Sequence, residues 1–491
     1  MKDVQKLLTE LLGEENVSVC PKCLQQYNDS RSFVEGITPF YEVFPASAEQ
    51  VEALVKLANR ESIPLVPVSS TGKHRRGGTV PVVPEAVMVN LSRMKNIESI
   101  NKMFRIAVIE PGITYSELKE ALKPYGLTIA MPLAPRAGKS VIASLLETEP
   151  RLDPNTQWAS TDPLRCLEVV WGDGNRMMTG EAAGGPPDMQ AQRDNDNWQI
   201  ISTGPDMVDY IRFVSGAQGS LGTITKASVR CAEIPAVQRS YLVGADKMED
   251  AIEFMYAVEH LRFSDGLFVL NAMALACLMG KDAEEIEAIR AKLPAWIAVA
   301  VAQSRRFAPE MRVVAHEKGF KDCAEKLGLK LVTELGGLTA EAVVEKAFSV
   351  WTEETYWKDT YKGASCDLFF NTTMELTPKY TEMMKAQAAA AGIDFADIGV
   401  YVQPLHQGIN CHCEYIIPYT EGCPKCTAKA EKLMKAAAPA LCHEDAFFYR
   451  PYGDWAKMQI SKNAMTADTL GKIKKIFDGN NVMNPDKLNA Y

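Results

Sequence analysis

The sequence predicts an α+β protein with more than one domain, and three observations support this. At 491 residues the chain is longer than one hydrophobic core usually supports, so two or three domains are expected. Strand patterns separated by glycine-rich turns dominate the chain up to about residue 236. Beyond that point, longer helical stretches alternate with strands up to about residue 440, which indicates a second domain of different texture.

The composition is typical of a globular protein and argues against several functional classes. The net charge of -9 disfavours a nucleic-acid partner, because phosphate binding requires a basic face. The longest apolar runs, 267–279 and 293–302, are too short for a membrane span, and the N-terminus lacks the apolar core of a signal peptide. Twelve cysteines without an export signal predict reduced thiols and a cytoplasmic location.

Local sequence patterns predict most of the helices and strands. Residues 47–62 carry an N-cap serine, a first-turn glutamate and apolar positions at helical spacing, which predict a helix. The apolar run 63–68 then predicts a strand that ends at a loop. Further predicted elements are strands at 87–91, 105–112, 365–373 and 399–405, helices at 115–126, 248–260, 282–293, 339–351 and 377–391, and a hairpin at 166–180.

The loop PVSSTGKHRRGG, residues 67–78, is suited to binding a diphosphate. Such a group needs several backbone N–H groups that converge on it, and therefore a turn with small side chains. The loop follows a strand, contains Ser, Thr and Gly, and adds the cations Lys73, Arg75 and Arg76. Its glycine spacing matches neither a Rossmann nor a Walker motif, and on its own an ordinary solvated turn would explain it equally well.

A series of segments in fixed order is more specific than any one of them. After the loop at 67–78 come IEPGITYSELKEAL (109–122), GDGNRMMTG (172–180), GAQGSLGTITKASVR (216–230) and, near the C-terminus, IFDGNNVMNPDKL (476–488). In this order they resemble the FAD-binding domain of the vanillyl-alcohol oxidase / p-cresol methylhydroxylase (VAO/PCMH) family. The resemblance covers about residues 40–236 and roughly the last forty residues of the chain.

This resemblance implies an arrangement of domains around FAD. A PCMH-type FAD-binding domain of two α+β subdomains would comprise residues 1–236, and an α+β cap domain over the flavin would comprise 237–449. The segment 450–491 would return to the FAD-binding domain. The fold class implied is thus α+β throughout, with the substrate between the flavin and the cap.

The resemblance also implies which residues contact FAD. The position at which some relatives attach flavin through histidine aligns with Asp367, which cannot form that bond, so a non-covalent FAD is expected. Cys366 beside it is the alternative attachment point. The implied cofactor-binding residues are Ser70, Thr71, Gly72, Lys73 and His74 in the phosphate loop, Gly138, Ser140 and Ser144 in a second segment that departs from the usual glycine-asparagine pattern, and Gly219, Gly222 and Ile224 in the turn toward the flavin.

The cap segments resemble those of the phenol-oxidising branch, which places a histidine and a Tyr-Arg pair over the flavin. The corresponding residues are His412, Tyr449 and Arg450. An arginine near the flavin stabilises the reduced ring, and a histidine can accept a substrate hydroxyl proton, although a buried structural role for His412 remains the alternative. Arg76 stands where these relatives carry a tyrosine, which predicts a substrate with an anionic end.

The resulting functional hypothesis is an FAD-linked oxidase or dehydrogenase. It would transfer a hydride from a para-substituted phenol or aromatic alcohol to flavin N5. One alternative is a 2-hydroxy-acid dehydrogenase of the D-lactate or glycolate type, because LHQGINCH (405–412) resembles a metal segment of those enzymes and would offer His406 and His412. Another is a non-catalytic, electron-passing subunit. The expected partners are an electron-acceptor protein and a second copy or a larger complex.

The motif CPKC occurs twice, at 20–23 and 423–426. Two such motifs often supply ligands for zinc or an iron–sulfur cluster. The candidate metal ligands are therefore Cys20, Cys23, Cys423 and Cys426. A redox dithiol and ordinary reduced cysteines remain open, since only the fold could unite motifs about four hundred residues apart.

Overall fold

The computed structural model describes residues 4–28, 31–154, 162–184, 200–204 and 208–487. The helices in these ranges are α1 Val4–Leu12, α2 Pro21–Gln25, α3 Ala48–Glu61, α4 Tyr115–Leu122, α5 Val141–Leu146, α6 Tyr210–Val214, α7 Met248–Leu261, α8 Ala272–Met279, α9 Ala283–Arg290, α10 Pro309–Lys326, α11 Ala340–Ala347, α12 Thr377–Ala391, α13 Pro424–His443, α14 Asp454–Ser461 and α15 Ala464–Phe477. No helix in these ranges is both long and apolar enough to cross a bilayer.

The strands confirm the predicted α+β class. They are β1 Val17–Ser18, β2 Tyr41–Val43, β3 Leu65–Val68, β4 Val87–Asn90, β5 Ile97–Asn101, β6 Ile106–Ile109, β7 Leu127–Thr128, β8 Leu164–Trp171, β9 Arg176–Met178, β10 Gly222–Arg230, β11 Ala232–Glu233, β12 Val237–Ala245, β13 Gly266–Asn271, β14 Trp296–Ser304, β15 Leu331–Val332, β16 Glu334–Leu335, β17 Leu338–Thr339, β18 Gly363–Thr372, β19 Gly399–Leu405 and β20 Asn410–Thr420.

The first sheet has the strand order β1-β2-β4-β3, with β2, β4 and β3 parallel. Helix α3 connects β2 to β3 as a parallel crossover requires. Ser47 caps this helix by accepting a hydrogen bond from the Gln50 N–H, and the buried side chains Val51, Leu54 and Val55 repeat at helical spacing. Strand β3 ends at Val68, so the predicted phosphate loop begins at the end of this parallel strand.

The second sheet is antiparallel, with the strand order β5-β6-β10-β8-β9. Its central strand β10 is buried over almost its whole length and starts at Gly222. Helices α4 and α5 pack against this sheet, and the capping box of Thr114 and Glu117 begins α4. The glycine-rich turn that precedes β10 is therefore attached directly to a buried central strand.

A seven-stranded antiparallel sheet, with the order β15-β12-β14-β13-β19-β20-β18, contains only strands that begin at Val237 or later in the chain. Helices α7, α10, α12 and α13 cover one face. Because side chains alternate along a strand, Cys366 and Leu368 of β18 join the hydrophobic cluster under these helices, whereas Asp367 lines a pocket. Phe369 also lines the pocket and contacts the same cluster. Strand β20 likewise offers His412 and Glu414 to the side away from Cys413.

The C-terminal tail pairs with the first sheet. Met483 forms a parallel bridge with Leu65 of β3. Asn484 donates through Nδ2 to the carbonyl oxygens of Gly78, at 3.0 Å, and Gln218, at 2.6 Å. This contact matches the expected return of the C-terminal segment, although residues 488–491 lie outside the described ranges. The domain boundaries at 1–236, 237–449 and 450–491 stay a prediction.

Candidate active site

A pocket lies where the three main sheets meet. Its walls come from the loop after β3, the segment around α5, the turn before β10 and the inner face of β18, β19 and β20. Its volume is about 230 Å³. The charged side chains that line it are the cations Arg75, Arg76, Arg136, Lys139, Lys358 and Arg450 and the carboxylates Glu147, Glu149, Asp367 and Glu414. Six cations against four carboxylates favour an anionic occupant.

The two segments predicted to hold the FAD diphosphate lie together at one end of this pocket. The Thr71 N–H donates to the Gly138 carbonyl at 2.9 Å, and the Ser140 N–H donates to the Ser70 hydroxyl at 3.1 Å. A Cβ atom on Gly138 would lie 2.4 Å from the Thr71 hydroxyl oxygen, so only glycine permits this approach. The structure thereby brings together two segments that are nearly seventy residues apart.

The predicted FAD contacts divide into two groups. Those that line the pocket are Ser70, His74, Gly219, Gly222 and Ile224, and those that do not line it are Thr71, Gly72, Lys73, Gly138, Ser140 and Ser144. Lys73 is 65% exposed and pairs with Glu421 at 2.8 Å, so its charge points away from the pocket. Of the residues that do not line the pocket, those close to it contact the lining residues from behind and hold them in place.

Ser144 shows how this support works. Its hydroxyl accepts a hydrogen bond from Tyr115 at 3.0 Å and donates to Glu149 at 2.5 Å. Lys139 lies 3.2 Å from the same carboxylate. Burial alone would raise the pKa of Glu149, but Lys139 and Arg450 outweigh it and hold the pKa at about 2. Glu149 is therefore an ionised group in the pocket wall.

The glycine turn before β10 is pressed against the phosphate loop. Gly219 has φ +71°, and a Cβ atom there would lie 2.3 Å from Cγ of Pro67. A Cβ atom on Gly222 would lie 2.6 Å from the Val170 carbonyl oxygen. Both positions thus need glycine, and the turn presents backbone rather than side chains to the pocket. Such a surface fits a ligand that carries both a large planar ring and a diphosphate, and FAD is such a ligand.

On the cap side, Asp367 joins three cations. Its carboxylate lies 3.2 Å from Arg75 Nη2, 3.4 Å from Arg76 Nη1 and 3.3 Å from Lys358 Nζ. Burial opposes ionisation of this carboxyl, but Arg75 and Lys358 keep its pKa below the usual range. Arg75 is fully occupied, because it also donates two hydrogen bonds of 2.9 Å to Asp359. Arg75 therefore holds the wall in place and has little left to offer a ligand.

His412 lies behind the pocket wall rather than in it. The ring is fully buried, with Nδ1 3.2 Å from the Tyr449 hydroxyl and Nε2 3.1 Å from Glu414. Burial lowers the pKa of His412 to about 4, against the opposing effect of Glu414, so the ring is neutral near pH 7. Glu414 lines the cavity, whereas His412 and Tyr449 do not, and the expectation that His412 stands over the flavin stays a prediction.

Glu414 links this histidine to the pocket. It lines the cavity, hydrogen-bonds Lys358 and lies 3.8 Å from Arg76 Nη2. Burial would raise its pKa, but Lys358, His412 and Arg76 hold the pKa well below the usual range. Tyr449, His412, Glu414 and Lys358 therefore form one continuous buried chain of hydrogen bonds.

Two arginines pack on one phenylalanine and retain free donors. The Cζ atoms of Arg76 and Arg450 lie 4.1 Å and 4.2 Å from the centre of the Phe369 ring. None of the three guanidinium nitrogens of Arg450 has a hydrogen-bond partner among the described residues, and the nearest carboxylate oxygen, on Glu149, is 3.9 Å away. Nη1 of Arg76 makes no hydrogen bond within the described residues either, although it forms an ion pair with Asp367 at 3.4 Å. Buried unpaired donors are costly, so they indicate a site that an anion completes.

Sequence reasoning missed several residues of this site: Lys139, Glu147, Glu149, Tyr356, Lys358 and Glu414. A signal existed for Glu414, because it follows His412 by two residues on a strand and must share its face. Lys358 stands between α11 and β18 in a segment without periodicity, so no pattern pointed to it.

The described structure does not gather the four cysteines of the expected metal site into one group, and that site stays a prediction. Cys20 and Cys23 flank the start of α2 beside the first sheet, whereas Cys423 and Cys426 begin α13, which packs on the seven-stranded sheet. All twelve cysteines are described, and the described ranges hold no group of three or more His, Cys, Asp or Glu residues that could bind a metal ion.

The alternative metal pair is not formed either. Nδ1 of His406 lies 2.9 Å from Asn410 Oδ1, whereas both nitrogens of His412 contact Tyr449 and Glu414. No third ligand joins them within the described residues.

A family model described as an FAD binding domain matches residues 39–149, the part of the chain that carries the predicted phosphate loop. Among solved structures, p-cresol methylhydroxylase with substrate bound superimposes with a TM-score of 0.83 at 19% identity, covering 98% of this chain and 95% of that one. A 4-ethylphenol oxidase from Gulosibacter chungangensis in complex with isoeugenol gives 0.82 at 18% identity, covering 99% and 96%. The chain therefore has the fold of the PCMH-type flavoproteins, and the resemblance seen in the sequence is confirmed.

Two curated relatives can be aligned with this chain over about half of their own length. The flavoprotein subunit of 4-cresol dehydrogenase [hydroxylating] from Pseudomonas putida is 27% identical over 269 residues, 54% of this chain and 49% of that protein. A probable mitochondrial D-lactate dehydrogenase from Danio rerio is 25% identical over 241 residues, 49% and 45% of the two chains. The alignments thus span about half the length of these relatives.

Proposed function

We propose that this protein is an FAD-dependent oxidoreductase that removes a hydride from a small anionic organic substrate. The observation that carries the proposal is the unpaired guanidinium of Arg450, which is buried in the same pocket as the predicted diphosphate loop. When bound, FAD supplies the hydride acceptor, its N5 atom. The residues of the chain bind the substrate, exclude water and receive the proton that leaves with the hydride.

Arg450 and Arg76 hold the anionic end of the substrate. A guanidinium can donate two parallel hydrogen bonds to a carboxylate, or bind a phenolate, more selectively than an ammonium group can. Phe369 keeps both guanidinium planes fixed, so little rotamer entropy is lost when the anion binds. Asp367 and Glu414 already balance part of the charge of Arg76, which leaves Arg450 as the stronger anion ligand.

Tyr449, His412 and Glu414 move the proton. Tyr449 does not line the cavity itself, but the next residue, Arg450, does, so the step requires the substrate hydroxyl to reach Tyr449. The Tyr449 oxygen then receives the proton of that hydroxyl as its own proton passes to Nδ1 of His412. Glu414 stabilises the imidazolium that results, because its carboxylate contacts Nε2. A neutral resting histidine is required for this step, in keeping with its low pKa.

The substrate class we propose is a para-substituted phenol or aromatic alcohol with a negative charge. Its support is a proton-accepting tyrosine beside an arginine, together with the phenol-related names of two solved structures of the same fold. A 2-hydroxy acid is the second candidate. The free guanidinium of Arg450 also suits a carboxylate, and a relative is named as a D-lactate dehydrogenase.

The bound FAD is proposed to be non-covalent. Asp367, at the position where some relatives attach flavin, is occupied by Arg75, Arg76 and Lys358. Cys366 is fully buried on the opposite face of β18 under the cap helices, and burial raises the pKa of its thiol. Acid precipitation should release yellow FAD into the supernatant, and flavin that stays in the pellet would disprove this point.

We further propose that an electron-acceptor protein completes the catalytic cycle within a complex, because one relative is named as a flavoprotein subunit. A cytoplasmic location is retained as a proposal on the basis of the cysteine content.

The test is anaerobic reduction of the bound flavin by three matched sets of compounds: neutral para-alkylphenols, the same phenols with a carboxylate, and D-2-hydroxy acids. Loss of visible flavin absorbance reports hydride transfer. The proposal predicts reduction by the carboxylated phenols and slower or no reduction by the neutral ones. Reduction by D-2-hydroxy acids alone would favour the second candidate, and no reduction by any set would reject both.

A further inference from the structure

The second CPKC motif places two sulfur atoms almost at bonding distance. Sγ of Cys423 and Sγ of Cys426 are 2.7 Å apart, and the Cys423 thiol donates to Cys426. A covalent S–S bond is about 2.0 Å long, so a disulfide would need the two sulfur atoms to approach each other further. The motif spans a single turn at the start of a helix, and this keeps the two side chains next to each other.

The position in the fold favours a thiolate. Cys423 is the N-cap of α13, a helix of 20 residues, and its sulfur accepts a hydrogen bond from the Cys426 N–H at 3.3 Å. The partial positive charge at a helix N-terminus stabilises thiolates. The hydrogen bond from Cys423, with others from Thr420, also lowers the pKa of the Cys426 thiol.

Accessibility separates the cysteines into three groups. Cys423 and Cys426 are partly exposed, Cys20 and Cys23 are exposed, and the remaining eight cysteines are buried. The first CPKC motif has the same sequence, but its helix α2 is only 5 residues long and provides a weaker dipole. The chain thus contains its own matched comparison for the second motif.

We propose that Cys423 and Cys426 form a redox-active dithiol that exchanges with small-molecule disulfides. One sulfur attacks the disulfide RSSR as a thiolate, which forms a mixed disulfide and releases the first RSH. The second sulfur then attacks its neighbour, forms the Cys423–Cys426 bond and releases the second RSH. Two electrons pass from the two cysteines to RSSR, and the two thiol protons leave on the RSH products.

This activity is separate from the flavin site. Neither cysteine lines the pocket, and the motif follows β20 at the end remote from His412 and Glu414. The failure of one proposal therefore leaves the other intact.

The test uses the holoenzyme with Cys20→Ser and Cys23→Ser, which removes the first motif and leaves two accessible thiols. The protein is treated with a metal chelator, incubated with excess oxidised glutathione, freed of reagents and analysed by thiol titration and mass spectrometry of the intact chain. We expect loss of both accessible thiols, a chain lighter by two hydrogen atoms and no attached glutathione. Flavin reduction by substrate should be unchanged.

Two further variants in the same background sharpen the test. Cys426→Ser and Cys423→Ser each remove one sulfur, so at least one of them should retain a single glutathione as the trapped mixed disulfide. In a parallel sample that keeps only the first motif, the thiols should disappear more slowly, because α2 has only 5 residues and its N-terminus stabilises a thiolate less than that of α13 does. Two titratable thiols after oxidation, or two attached glutathiones without an internal disulfide, would overturn the proposal.

Discussion

The hydroxyl of Tyr449 lies 3.2 Å from Nδ1 of His412, and this contact joins Tyr449 to a buried chain that reaches the pocket at Glu414. Glu414 occupies the other ring nitrogen at 3.1 Å, so the imidazole is held between a proton donor and a carboxylate. The same order of groups orients the histidine of hydrolytic triads. In this protein the arrangement would let a fully buried histidine receive a substrate proton without touching the substrate.

Replacement of Glu414 by glutamine should impair this step. The amide keeps the shape but cannot stabilise an imidazolium, so kcat for flavin reduction should fall by ~10²-fold or more, with little change in KM. Asp359→Asn is the control. Asp359 belongs to the same charge cluster, because it binds Arg75, but it does not contact His412. An equal loss of kcat in both variants would show that the effect is structural.

The pH dependence of flavin reduction follows from the low pKa of His412. The ring must be neutral to accept a proton, and burial lowers its pKa to about 4. The neutral fraction, and with it the rate, should therefore stay constant from neutral pH down to roughly pH 5 and fall below that as the ring protonates. Single-turnover rates with a substrate that does not titrate in this range provide the measurement. A rate that falls already between pH 7 and pH 6 would contradict the assignment.

Arg76 should determine preference for charged substrates. Arg76→Lys keeps the positive charge but loses the planar guanidinium that can donate two parallel hydrogen bonds. For carboxylated phenols, kcat/KM should fall by an amount that corresponds to about 1–3 kcal/mol of lost transition-state stabilisation. Arg76→Tyr should shift preference toward neutral para-phenols, because a tyrosine donates one hydrogen bond to a phenolate.

The rival role for Arg76 is to neutralise the FAD diphosphate. In that case both variants would lose flavin while the ratio of kcat/KM between charged and neutral substrates stayed constant. The flavin content of each variant is therefore measured together with its kcat/KM values. Arg75→Lys is the matched comparison: Arg75 is fully paired with Asp359 and Asp367, so its loss should lower Tm without a change in preference.

Gly219 should be needed for flavin binding. Gly219→Ala introduces a Cβ atom 2.3 Å from Pro67, which must displace either the turn or the phosphate loop. Gly216→Ala is the control, because Gly216 has a similar φ of +75° but nothing within 4 Å of its Cβ position. Both variants carry backbone strain of about 1–2 kcal/mol. Only Gly219→Ala should also lose FAD on gel filtration, and equal retention by the two variants would refute this role.

Much of the fold could be predicted because the local signals were strong. The Ser47 cap and the spacing of Val51, Leu54 and Val55 indicated α3, and the structure has this helix at Ala48–Glu61. The run 267–279 was harder to divide, since it is apolar throughout. It contains the end of strand β13 and the helix α8, which begins where Asn271 caps it. Uniform burial removes the periodicity that separates strand from helix.

The site was predicted less completely than the fold. Arg450 and Arg76 were found through a motif and a departure from it, and both line the pocket. His412 was found, but its place behind the wall depends on the register of β20 against β18, which no local pattern reveals. Lys358 reaches the pocket only because the tertiary fold brings its segment next to β20. The charge cluster is thus a product of long-range packing.

The most direct test of the central claim is anaerobic single-turnover reduction of the bound flavin by a carboxylated para-alkylphenol, with hydrogen or deuterium on the carbon that loses the hydride. The account predicts that visible flavin absorbance disappears, that deuterium slows this loss, and that Arg450→Gln slows it further at subsaturating substrate by about 1–3 kcal/mol in kcat/KM. Flavin that stays oxidised with this substrate, or reduction at a rate indifferent to both deuterium and Arg450, would contradict it.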